Sequence, residues 1–175
     1  MKVCARRFNL YLTLVGVLLL ACGCKTTKKP EELSALRVHL QSNSSVPGAT
    51  DDISLVRADP VSVTVMHDPL LTEANIIGAR LIDAAGGFAI EIQFDESATL
   101  MLEQYTASNP GLHLVIYGQW GDKLSQGRWL AAPLITHRIS NGRLSFTPDC
   151  SREEAKRLVL GLNNVVAKTK KGGAK

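Results

Sequence analysis

Gly87-Phe88-Ala89-Ile90-Glu91-Ile92-Gln93-Phe94-Asp95-Glu96-Ser97-Ala98 changes its hydrophobic period midway. Phe88, Ile90, Ile92 and Phe94 alternate with Ala89, Glu91 and Gln93, which puts the apolar side chains of a strand on one face. The alternation stops at Asp95, whose carboxylate suits the free N–H groups of a helix start. Ala98, Met101, Leu102 and Tyr105 then recur at i, i+3, i+4 and i+7, the stripe of an amphipathic helix, and Asn109-Pro110-Gly111 ends it. Behind the strand, Ala84-Ala85-Gly86-Gly87 reads as a turn and Ala79 to Asp83 as the other arm of a hairpin.

The same two periods organise the flanks. Leu112, Leu114 and Ile116 alternate with His113, Val115 and Tyr117 as a strand, and the Gly-rich polar segment from Gly118 to Gly127 reads as a loop. The chain returns through Trp129-Leu130 and an extended stretch from Pro133 to Ile139. Asn141-Gly142, a strong hairpin signal, turns it into Leu144 and Phe146. Ser151-Arg152-Glu153-Glu154 is a capping box opening a last helix that buries Ala155, Leu158, Val159 and Leu162. Upstream, Val61, Val63 and Val65 form a strand, Asp68-Pro69 breaks it, and Thr72 caps a short turn through Asn75. Gln41 to Thr50 reads as a loop. Leu36, Val38 and Leu40 fit a strand, while Leu33, Leu36 and Leu40 fit a helix, and the pattern leaves the two open. The expected fold class is α+β, an antiparallel sheet with two main helices packed on one face. It spans residues 34–167, between a charged tether (22–33) and a Lys-rich tail (168–175).

A chain of 175 residues suits one domain. Its basic excess sits in the flanks: residues 50–167 hold nine Lys/Arg against fourteen Asp/Glu, a net charge of −5, which argues against a nucleic-acid surface. No reaction is written in the residues. His39, His67, His113 and His137 form no metal-ligand spacing, no Gly-x-Ser-x-Gly elbow surrounds a serine, and Gly86-Gly87 is a turn rather than a phosphate loop. His67-Asp68 are neighbours whose side chains point apart on a strand. The reading is therefore non-enzymatic, with no catalytic residue, metal or cofactor. Tyr117, Trp120 and Trp129, grouped around the Gly-rich segment, are the candidate contact surface.

Residues 1–21 read as a secretory signal peptide: Lys2, Arg6 and Arg7 precede an apolar run from Leu10 to Ala21 that is shorter than the roughly 20 apolar residues of a spanning helix. Leu19-Leu20-Ala21-Cys22 resembles the lipobox of bacterial lipoproteins. The resemblance implies acylation at Cys22, with Cys24 as the alternative, and a domain held by acyl chains on the periplasmic side of a membrane. Gly23 rather than Asp after the cysteine favours the outer over the inner membrane. Spacing alone leaves a Cys24–Cys150 disulfide open.

From about Val61 to Val166, about 60% of the chain, the residues also resemble a second family. Leu71-Thr72 leading to Ile76 and Ala79, the Gly87–Phe94 strand, Tyr105-Thr106, and Gly111 before Leu112-His113-Leu114-Val115-Ile116 carry the resemblance. So do Ala132-Pro133-Leu134-Ile135, Asn141-Gly142-Arg143-Leu144, and Phe146-Thr147-Pro148 running into Glu154-Ala155. The order is similar to the periplasmic head subdomain of the SecD/SecF protein-export membrane proteins. It implies that fold and, more weakly, a capacity to hold polypeptide against a sheet edge or an apolar groove. The transmembrane motor of that family has no counterpart in these residues. The expected function is a protein- or peptide-binding module in secretion or envelope assembly; the alternative is a structural envelope lipoprotein, a stable subunit of a larger complex.

Overall fold

The computed structural model describes residues 31–55 and 60–172. The hairpin at its centre follows from the alternation above: β5 (Ile76–Ala84) and β6 (Gly87–Phe94) pair antiparallel, with Leu81 opposite Ile90 and Arg80 opposite Glu91. Gly86, at φ +81°, supplies the left-handed residue of the turn. Ile90, Ile92 and Phe94 are buried on one face, as their period requires. Helix α1 (Glu96–Ser108) starts where Asp95 accepts the Ala98 N–H at 2.7 Å. The second helix, α2 (Arg152–Gly172), opens on the capping box: Glu154 accepts the Ser151 N–H at 2.8 Å, and Ser151 Oγ accepts the Glu154 N–H at 3.2 Å. It continues to Gly172, through the first residues of the Lys-rich tail.

Strand β1 (Ala35–Leu40) resolves the ambiguity of the Leu33–Leu40 segment in favour of a strand. It lies between the short β4 (Leu71–Thr72) and β7 (Leu114–Trp120), and β7 pairs in turn with β8 (Gln126–Ala131). This four-stranded sheet is joined by two smaller ones, β2 (Thr50–Leu55) with β3 (Val61–Met66), and β5-β6 with β9 (Arg143–Phe146). The architecture is α+β, with antiparallel sheets and the two main helices on one face. Leu36, Val38, Ile116 and Leu130 point inward to meet Leu158 and Leu162 of α2 and Leu102 of α1. Each fully buried side chain of this size contributes about 1.5–3 kcal/mol.

Three local expectations are corrected, and one strand was not anticipated. The segment 118–127 is not an open loop: β7 runs on to Trp120, and the turn takes only Gly121 to Ser125. Gly118 lies inside that strand because Leu130 and Leu158 fill the space beside it, a Cβ there falling 2.5 Å from Leu130 Cδ1. Residues 133–139 form no strand beyond a single bridge between His113 and Leu134. The buried stripe of α1 is Ala98, Leu102 and Thr106, leaving Met101 and Tyr105 exposed. Thr106 is buried because its hydroxyl donates to Leu102 O at 2.7 Å and accepts the Ile139 N–H at 2.9 Å. The loop ending at Thr50 leads into a strand, β2, paired along its length with β3.

Candidate functional site: two facing strand edges

Hydrogen-bond register determines which backbone groups of each sheet are free. Between β6 and the start of β9, the Phe94 N–H donates to Gly142 O at 2.9 Å, in the same register that sets Ile92 opposite Leu144 and Ile90 opposite Phe146. Antiparallel pairs alternate between bonded and non-bonded. Arg143 and Ser145 are therefore the non-bonded pairs, and their N–H and C=O groups point away from β6. The Asn141 side chain accepts the Arg143 N–H at 3.0 Å, while the Ser145 N–H and C=O have no partner among the described residues.

A matching edge faces it. The Leu114 N–H donates to Pro133 O at 3.0 Å and the Ile135 N–H to Leu112 O at 2.8 Å, so Leu134, between them, turns its own N–H and C=O away from β7. These groups too have no partner among the described residues. The two edges meet where the Asp149 N–H donates to Leu130 O at 2.7 Å, and four residues further along each strand stand Leu134 and Ser145. Leu134 and Ser145 make no backbone hydrogen bond to one another. Residues 135–142 instead run back along α1, where the Ile139 N–H reaches Thr106, Arg138 pairs with Glu103 and Gly142 passes Thr99. The chain turns at Asn141-Gly142 and returns as β9, so the two edges run in opposite directions.

The opening holds a groove of about 500 Å³, lined by Leu134, Ile135, Ile139, Leu144 and Ser145 with Glu91 and Arg143 at its rim. A second groove of about 610 Å³ shares Pro133 and Ser145 with it and lies under the β2–β3 hairpin, lined by Leu55, Val61, Val63, Ala131, Ala132 and Phe146. The two adjoin at Pro133 and Ser145 beside the free edge of β9, and this channel is charged at the Arg143 end and apolar at the hairpin end. At the charged end, Arg80 neutralises Glu91 and Glu103 neutralises Arg138. Arg143 has no carboxylate partner among the described residues and donates to Gln93 at 2.8 Å.

Asn163 of α2 accepts the Ala79 N–H at 3.0 Å and donates to Ala79 O at 2.9 Å, capping the outer edge of β5 with a side-chain amide. At the opposite end of β7 from the channel, roughly 20 Å away, residues 31–34 are strapped onto α2. Glu32 accepts from Arg157 and from the Gly121 N–H at 3.2 Å, the Asn164 side chain donates to Glu32 O at 2.9 Å, and Glu31 pairs with Lys168.

Tyr117 and Trp129 come together on the outer face of the four-stranded sheet, their ring centroids 5.1 Å apart, with His39 5.2 Å from Trp129. Trp120 does not join them. It points inward and is 1% exposed, with the Arg128 guanidinium over its ring, and so offers no contact surface. The histidines do not converge: His39 meets Met66 O, His113 meets Gln41, His137 meets Thr136, and the exposed His67 meets Asp51 across the β2–β3 hairpin rather than Asp68. Among the described residues no three His, Cys, Asp or Glu side chains gather to hold a metal ion, and no helix is long and apolar enough to cross a membrane. Burial raises the thiol of Cys150, a free cysteine, to about 11, with the Glu154 carboxylate adding to the effect. Cys22 and Cys24 lie outside the described residues. Sequence reasoning missed the Leu134 and Ser145 edges, for which the only signal was Asn141-Gly142 with Pro133 upstream.

No family model matches the sequence, and no curated protein matches it. Solved structures do. One, described as a membrane component SecDF that enhances protein export, superposes with a TM-score of 0.53 at 22% identity over 76% of this chain and 63% of its own. SecDF in its super-membrane-facing form gives 0.47 at 17% identity, covering 90% of this chain and 33% of its own. SecDF of Thermus thermophilus, described as a translocon-associated membrane protein, gives 0.39 at 19% identity, covering 91% and 34%. The chain thus spans less than two thirds of the length of each. The expected lipid-anchored location, with its preference for the outer membrane, is corrected: the structure that superposes at 0.53 is described as a membrane component, and it supports no outer-membrane or acyl-anchored placement. In fold, this domain resembles the periplasmic head subdomain of the SecD/SecF export proteins.

Proposed function

We propose that the domain is a non-catalytic polypeptide-binding module acting in protein transport, and that it holds a partner chain as an added strand along the free edge of β9. The observation that carries this reading is the pair of facing edges at Leu134 and Ser145, each presenting an N–H and a C=O without a partner among the described residues. Unpaired backbone groups in a groove favour an extended ligand, because main-chain hydrogen bonds supply affinity whatever the sequence and the neighbouring apolar surface supplies the rest. The description of the similar export component supports the setting.

The test is a scan of a bound model peptide with N-methyl groups, one residue at a time. Strand addition along β9 makes every second substitution costly, about 1 kcal/mol or more for each lost hydrogen bond, adds one cost among the others where a ligand N–H meets Leu134 O, and leaves the remaining ones nearly neutral. Ser145→Pro, which deletes the edge N–H, abolishes binding in the same account. A scan in which loss follows side-chain identity and not alternation refutes it.

A further inference from the structure

The channel has a polarity, and the polarity specifies its ligand. Because the two edges run in opposite directions, a strand lying between them is antiparallel to one and parallel to the other. Antiparallel pairing is slightly the more stable, and β9 is the longer regular edge, its four residues set against the single bridged residue Leu134 on the other wall. A ligand antiparallel to β9 enters with its N-terminal part at the Phe146 end and leaves with its C-terminal part at the Arg143 end. The Phe146 end is the apolar groove walled by Leu55, Val61, Val63 and Pro133. At the Arg143 end, the other charges, those of Glu91 and Arg138, are already neutralised within the protein, and the Arg143 guanidinium is left to an incoming carboxylate.

Resting on the strand-addition reading above, we infer that the preferred partner is an extended segment with apolar residues at alternate positions in its N-terminal half and an acidic side chain at its C-terminal end. Period-two spacing follows from the pleat, which sends every second side chain of the added strand to the same face. The acidic preference follows from charge complementarity with Arg143 and weakens with salt, since the rim is exposed.

The experiment compares, on the full chain, fluorescence anisotropy of three labelled peptides capped at both ends: one alternating valine with threonine and ending in glutamate, the same residues in reversed order, and the first with lysine in place of glutamate. The first binds about fivefold more tightly than either of the others, the size expected for one exposed ion pair. Arg143→Glu inverts the ranking of the glutamate and lysine peptides. Equal binding of all three with no effect of Arg143→Glu, in a protein where Ser145→Pro still abolishes binding, overturns this inference and leaves strand addition standing. Tighter binding of the reversed peptide overturns the polarity. Absence of binding by all three peptides removes the strand-addition reading and this inference together.

Discussion

Gly161 sits in the middle of α2, where glycine weakens a helix by about 1 kcal/mol relative to alanine. Helix propensity alone makes Gly161→Ala stabilising by that amount, and the packing reverses the sign. A Cβ at this position falls 2.1 Å from Ser34 Oγ, 2.7 Å from Ser34 N and 2.8 Å from Leu33 C. Two of these three atoms are backbone, so no rotamer change relieves the overlap, and residues 33–34 have to move off the helix. Overpacking of this kind costs about 1–3 kcal/mol. Displacing the strap also loosens the neutral bond from the Asn164 side chain to Glu32 O, about 1 kcal/mol more. The half-buried Glu32–Arg157 pair, still reached by solvent, adds little to this. Set against the gain in propensity, Gly161→Ala destabilises the domain by about 2 kcal/mol, a shift of about 1 M in the midpoint of urea unfolding. Hydrogen exchange supplies the local readout: the Gly121 amide, which donates to Glu32, loses protection. Peptide binding persists, because the channel lies at the far end of β7. A midpoint that is unchanged or raised, with Gly121 still protected, refutes the reasoning.

Asp95→Ala removes the acceptor of the Ala98 N–H and costs about 1 kcal/mol in equilibrium unfolding. His39 is held below its usual value chiefly by burial, with Arg37 and His67 acting the same way, and the bond to Met66 O and the charge of Asp51 opposing. The unfolded chain therefore takes up this proton first. The contribution of His39 is full above about pH 6.5 and is lost as pH falls below it towards the lowered value, so His39→Phe flattens the fall in stability below about pH 6.5 in denaturant titrations. With its thiol raised to about 11, Cys150 reacts slowly with iodoacetamide at neutral pH in the native protein and at the rate of a free thiol after unfolding, as read by mass spectrometry of its peptide.

What could be read from the residues was what local physics fixes. The β6 alternation, the Asp95 cap and the Ser151–Glu154 capping box each lie within a few residues and describe the structure correctly. Strand β2 was illegible because Thr50-Asp51-Asp52-Ile53-Ser54-Leu55 has little apolar period, and its pairing comes from β3 and not from itself. Trp120 was misplaced because glycines at 118 and 121 suggested a loop, whereas Gly118 answers to the bulk of Leu130 across the strand pair. Tyr105 lost its expected burial to Thr106, whose hydroxyl serves Ile139, 33 residues away. The channel was the least legible feature. Leu134 and Ser145 matter for backbone groups that every residue possesses, and their freedom depends on register, which no side chain records.

The central claim is that Leu134 and Ser145 accept an added strand, and amide hydrogen exchange with and without the glutamate-ended peptide tests it most directly. The account predicts that the Leu134 and Ser145 amides exchange freely in the unbound protein and become protected on binding, while Arg143, whose amide already donates to Asn141, changes little. Protection that appears instead on the outer face around Tyr117 and Trp129, with Leu134 and Ser145 still exchanging freely, contradicts it.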